Sequence, residues 1–100
     1  MNISGTELTD ALAYRLTVSD EALMVDLADG RTITVPLVWF PRLAHGSATE
    51  RGNWRLIGGG EGIHWPDLDE DISVESLLAG RRSGETPESL RRWLDARKTG

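Results

Sequence analysis

The sequence predicts an α+β fold: an antiparallel sheet of about five strands, in the order β-β-β-α-β-β-α-α, with short helices packed on it. Three observations predict it. Apolar and polar residues alternate in five separate runs, the period of a half-buried strand. Hairpin signals stand between neighbouring runs, chiefly Asp29-Gly30 and the glycine-rich "GGGEG" at 58–62. The remaining stretches carry helix signals: proline at entry, a hydroxyl residue as cap, glycine at exit.

Residues 1–12 are polar with little pattern and are expected to be loosely ordered, with a single domain over 13–100. From Tyr14 the alternation begins, Tyr14, Leu16 and Val18 facing one way and Arg15, Thr17 and Ser19 the other. Leu23, Val25 and Leu27 repeat it against Met24 and Asp26. Asp29-Gly30 then suits a type I′ turn, whose two central residues need positive φ. Ile33, Val35 and Leu37 make the third strand, and Pro36 has no N–H for a ladder, so this strand belongs at an edge or a bulge.

At "WFPRLAHGSATERGNW" the period changes. Pro41 suits a first helical turn, and a short helix is expected over about 41–50, weakened by Gly46. Trp54 and Leu56 give a fourth strand; Ile63 and Trp65, alternating about His64, give a short fifth. Ser73 is a good N-cap for the next helix, Glu75 an anion suited to its first turn, and Gly80 a good stop. Thr86-Pro87 opens a last helix at about 87–98, with Leu90, Trp93 and Leu94 as a narrow apolar stripe.

The chain has 100 residues, no cysteine and a net charge of −5. No cysteine means no disulfide frame, thiolate metal cluster or cysteine nucleophile, which fits a cytoplasmic setting. "MNISGTELTD" has neither a positive start nor an apolar run, and no run approaches the ~20 residues of a membrane helix, so neither a signal peptide nor a membrane partner is expected. Charge is unevenly spread. Residues 81–100 carry +3, leaving −8 on the other 80. The acidic body argues against wholesale nucleic-acid binding, whereas Arg81, Arg82, Arg91, Arg92, Arg97 and Lys98 could touch phosphates or simply form a solvated surface.

"GIHWPDLDEDIS" (62–73) is the densest cluster of chemistry-bearing groups. Asp67, Asp69 and Asp71 match the first, third and fifth positions of a calcium loop, but Ile72 stands where the loop needs glycine and Leu78 where it needs a bidentate glutamate. An EF-hand is excluded, and the acids read best as a solvated connection ahead of the next helix. His64 and His45 lie 19 residues apart with no "HxH" or "HxxxH", so no histidine metal site is expected. His64 with Asp67 or Asp69 could act as a base, but no serine stands at a nucleophile elbow. The glycine-rich run lacks the Gly-Lys-Ser/Thr ending of a phosphate loop, so a tight turn is the better reading. Trp39, Phe40, Trp54 and Trp65 are many rings for so small a domain; most should fill the core, and one or two could line a partner surface.

"DGRTITVPLVWFPRL", "ERGNWRLIGGGEGIHWPDLDEDISVESLLAG" and "RRSGETPESLRRWL", together spanning about residues 14–94, resemble the bacterial family known as domain of unknown function 2442. Some members of that family are fused to a helix-turn-helix domain. Many lie beside a gene for domain of unknown function 4160, an arrangement typical of toxin–antitoxin pairs. The resemblance implies an antitoxin-like or accessory role and brings no catalytic residue and no cofactor. Three readings follow. The first is a non-enzymatic protein-binding module, with Trp39, His64, Trp65, Asp67 and Asp69 as candidate contacts and a small basic toxin-like protein as partner. The second is a regulator touching DNA through its basic tail. The third is a small enzyme built on His64 and nearby acids. A homodimer is the default assembly.

Overall fold

In the computed structural model, residues 11–99 are described. Most of the expected N-terminal segment 1–12 lies outside them. Ala13–Val18 (β1), Ala22–Leu27 (β2) and Thr32–Pro36 (β3) form an antiparallel meander in the order β1-β2-β3. Leu23, Val25 and Leu27 are buried and Met24 is exposed, as the alternation requires. β1 departs from its pattern. Ala13 pairs with Leu27 and Arg15 with Asp26, so Tyr14 is a bulged residue. The bulge shifts the phase, placing Ala13 and Leu16 inside and leaving Tyr14 55% exposed. The β2–β3 hairpin also differs in detail from the type I′ expectation. Gly30 has φ +97° while Asp29 stays at negative φ, and Leu27 N donates to Arg31 O at 2.8 Å. That is a three-residue loop ending in a glycine bulge.

After a 3-10 turn at Leu37–Trp39, the helix expected over 41–50 proves to be two: Pro41–His45 (α1) and Ala48–Gly52 (α2). Ser47 breaks it. Its side chain accepts from Glu50 N while the Glu50 carboxylate accepts from Ser47 N, a capping box that starts a new helix. Gly46 at the joint lets Leu68 approach, since a Cβ there would sit 2.8 Å from a Leu68 methyl.

Arg55–Ile57 (β4), Gly62–Trp65 (β5) and Glu70–Ser73 (β6) form a second antiparallel sheet in the order β4-β5-β6. The described residues thus hold six strands in two sheets, where about five in one were expected. The addition is β6. Half of the acidic stretch taken for a solvated connection pairs with β5, Ile63 opposite Ile72 and His64 opposite Asp71. Val74–Leu78 (α3) follows at once. Ser73 accepts from Ser76 N, and the helix closes with Gly80 N on Leu77 O and Arg81 N on Ser76 O, a Schellman ending with Gly80 at φ +72°. The last helix is Pro87–Thr99 (α4), with Thr86 accepting from Ser89 N.

Both sheets share one core: Leu16, Leu23, Val25, Leu27 and Val35 from the first, Ile63, Trp65 and Ile72 from the second, closed by Phe40, Leu43, Leu68 and Leu77. The sheets are also tied by backbone. Ala13 N donates to Gly60 O at 2.9 Å across a gap so close that a Cβ on Gly60 would meet Ala13 O at 2.4 Å. With φ at +110°, position 60 admits only glycine without strain. Among the described residues, no buried side-chain nitrogen or oxygen lacks a partner.

Candidate interaction surfaces

The residues of the 62–73 stretch are dispersed by the fold to separate tasks. Trp65 lies fully inside, and its Nε1 donates to Arg51 O at 3.0 Å. It offers no surface to a partner; it is a core anchor whose truncation would cost about 3–5 kcal/mol. Asp67 accepts from Asn53 Nδ2 at 2.8 Å. Asp69, in the left-handed region at φ +50°, closes the β5–β6 turn and pairs with Arg42 at 3.3 Å. His64 meets neither of them. Its Nδ1 sits 2.5 Å from Asp71 Oδ1 across the sheet, with Arg55 opposite it on the other neighbour strand. Ser73, two residues along β6, has its hydroxyl engaged in capping α3. The Ser73 hydroxyl is thus committed to the helix cap and not to the His64–Asp71 pair. Among the described residues, no three His, Cys, Asp or Glu side chains converge so as to hold a metal ion.

Trp39 is half-buried, with the Arg82 guanidinium 4.8 Å from its ring centre. Arg97 is not an outward cation either: it pairs with Glu50 at 2.9 Å and lies 4.6 Å over the Trp93 ring. Arg42 lies 5.2 Å from that ring and grips Glu85 through Nε at 2.5 Å and Nη2 at 3.2 Å. These contacts attach α4 and its lead-in to the body. They hold the Glu85 and Glu50 carboxyls below the usual carboxylate range, by the hydrogen bonds from Arg42 and Arg97 respectively. Glu70, mostly shielded nearby, is pushed up by burial. Arg81, Arg91, Arg92 and Lys98 remain exposed.

Two apolar surfaces remain. The first is a groove of about 510 Å³ between the start of β1, the glycine-rich turn and α3. Leu12, Val74 and Leu78 supply its apolar walls, and Leu78 is 44% exposed. Glu61 and Glu75 stand on its rim, both exposed and both without an ion-pair partner among the described residues. Val74 N donates to Glu61 O, which fixes the two rims against each other. The second surface is α4. None of its described residues 87–98 is buried, and only Trp93 packs on the core. Pro87, Leu90 and Leu94 line a trough along the helix, flanked by Arg91 and Lys98 on one side and Arg97 on the other. Sequence reasoning missed the groove, because its two acids lie 14 residues apart on different elements and make no local pattern.

A model of the family described as "Protein of unknown function (DUF2442)" matches residues 14–83. The match ends before α4, so the expected resemblance of the tail lies outside it. No curated protein matches the chain. A crystal structure of a protein of unknown function from Rhodospirillum rubrum ATCC 11170 is similar at TM-score 0.63 and 29% identity, covering 74% of this chain and 92% of that one. The solution NMR structure of an uncharacterized protein from Chromobacterium violaceum is similar at TM-score 0.66 and 17% identity, covering 82% and 77%, a likeness of fold alone.

Proposed function

The chain belongs to the DUF2442 family of proteins of unknown function, and on that premise we propose that it is a non-enzymatic, antitoxin-like protein-binding module whose partner is a small basic protein encoded beside it. The observation that carries this reading is the acid-rimmed groove. An apolar recess with two unpaired carboxylates is chemically suited to an apolar side chain flanked by Lys or Arg. Its carboxylates would steer a basic partner in, and its apolar walls would retain it. In the tract around His64 the carboxylates of Asp67, Asp69 and Asp71 already have partners in the same chain, Asn53, Arg42 and His64, whereas those of the groove have no ion-pair partner among the described residues.

The test is co-expression with the product of the adjacent gene. The two proteins should co-purify, growth arrest by the neighbour expressed alone should be relieved, and Glu61→Lys with Glu75→Lys should abolish both effects. A neighbour that is harmless alone, or that never binds, would overturn the reading. Capture unaffected by the double charge reversal would remove the groove as its site.

A further inference from the structure

The chain carries, on α4, the chemistry that its own groove would accept. Pro87, Leu90 and Leu94 follow one another at i, i+3 and i+7, a continuous apolar stripe. Arg91 and Lys98 lie seven residues apart along one edge of it, with Asp95 between them, and neither cation has an ion-pair partner among the described residues. Trp93 and Arg97 occupy the opposite edge and face the body. The stripe is therefore partly exposed, along a trough that Arg97 also lines, while the helix stays docked.

The two surfaces cannot meet within one chain. α4 is held at the Asp67 end of β5, where Arg97 reaches Asp67 O and Glu50. The groove opens at the other end of that strand, where Glu61 precedes Gly62. We propose that the groove of one copy receives the α4 stripe of a second copy, Leu90 and Leu94 entering between Leu12 and Leu78 while Arg91 and Lys98 approach Glu61 and Glu75. Charge complementarity selects this arrangement. Antiparallel packing of two α4 helices through the same stripe would set Arg91 beside Lys98 of the second copy, a like-charge contact. The inference rests on the groove reading above for its acceptor half, and makes the second copy a competitor of the basic partner.

Sedimentation velocity up to millimolar protein tests it, with circular dichroism confirming that each variant is folded. The wild type should self-associate, more weakly as salt rises. Leu90→Ser with Leu94→Ser, and separately Glu61→Lys with Glu75→Lys, should each raise the dissociation constant at least about tenfold, the loss typical of truncating a central anchor. A mixture of the two variants should associate again, since each contributes one intact half. Combining Glu61→Lys, Glu75→Lys, Arg91→Glu and Lys98→Glu in one chain should also restore association. A wild type that stays monomeric overturns the inference, as does association indifferent to the groove substitutions, which would assign the contact to paired α4 helices. The α4 substitutions should leave capture of the neighbouring protein intact. A wild type that captures the neighbouring protein but never self-associates would strike this inference alone, and a wild type that self-associates but never captures it would strike only the proposed function.

Discussion

Arg51 shows how much one side chain can organise here. Among the described residues it is the one buried charged side chain, and no feature of the sequence singled it out. Its Nε donates to Leu43 O and its Nη2 to Ala44 O, both at 2.8 Å, so one guanidinium closes the carbonyl end of α1 from the adjoining α2. Its own carbonyl accepts from Trp65, which ties the same residue to the second sheet. The third contact, Nη1 to Asp20 at 2.7 Å, is of another kind, because the Asp20 side chain is 94% exposed. Water competes fully for that carboxylate, and such pairs contribute at most about 1 kcal/mol. The two carbonyl bonds are shielded, and bonds to a charged donor contribute roughly 1.5–3 kcal/mol each. Lysine keeps the charge but cannot place two donors in a fork. Arg51→Lys is therefore expected to destabilise by about 2–3 kcal/mol and Asp20→Asn by about 0.5 kcal/mol or less. Urea midpoints of the two variants check the contrast; equal losses would show that the ion pair, not the cap, is what matters.

At the scale of elements, α4 is attached by groups that titrate. Arg42 holds Glu85 and Arg97 holds Glu50, each carboxyl lying lower in the folded chain than in the unfolded one, where glutamate titrates near ~4.3. A depressed acid contributes stability above its unfolded pKa and loses it as pH falls through the folded value. Docking of α4 should therefore be unaffected by pH at neutrality and fail on acidification below about 4. The indole N–H resonance of Trp93 should then move to a solvent-exposed position before that of Trp65 does. Simultaneous movement of both would mean that α4 leaves only when the whole domain unfolds. The elements themselves were unevenly legible in the sequence. Strands with alternating apolar residues could be read, as could the caps Ser73 and Thr86, because both signals are local. β6 could not: "EDIS" buries only Ile72 and is held by pairing with β5, a contact 9 residues away. Missing β6 also misassigned the partner of His64, since only the strand register brings Asp71 to it. The split of α1 from α2 was legible in principle, through the Ser47–Glu50 capping spacing, which Gly46 overshadowed.

For the whole molecule, the opposition between acidic body and basic tail was readable from the sequence, but not where its unpaired charges would stand. Of the six tail cations, Arg97 is turned inward and Arg82 lies over Trp39, while the acids that remain without ion pairs at the groove come from outside the acidic core of the 67–71 tract. The body and the tail also differ in how they hold together. Every buried hydrophobic residue among those described lies between Ala13 and Leu77, and both sheets, α1, α2 and α3 are closed before Gly84. Removing residues 85–100 would take away the Trp93 contact and the Glu85 and Arg97 ion pairs, and leave Arg42 its bond to Asp69. No core side chain would be lost. A chain ending at Gly84 is therefore expected to keep a single cooperative thermal transition. The partly exposed Arg97–Glu50 pair contributes at most about 1 kcal/mol and the shielded Arg42–Glu85 pair roughly 1.5–3 kcal/mol, and each 1 kcal/mol moves the midpoint of a domain of this size by roughly 4–8 °C. Calorimetry on the truncated chain measures this directly. Loss of the cooperative transition would make α4 part of the folding unit, whereas its retention, with self-association abolished and the neighbouring protein still captured, would identify α4 as an arm that serves assembly and leaves folding to the two sheets.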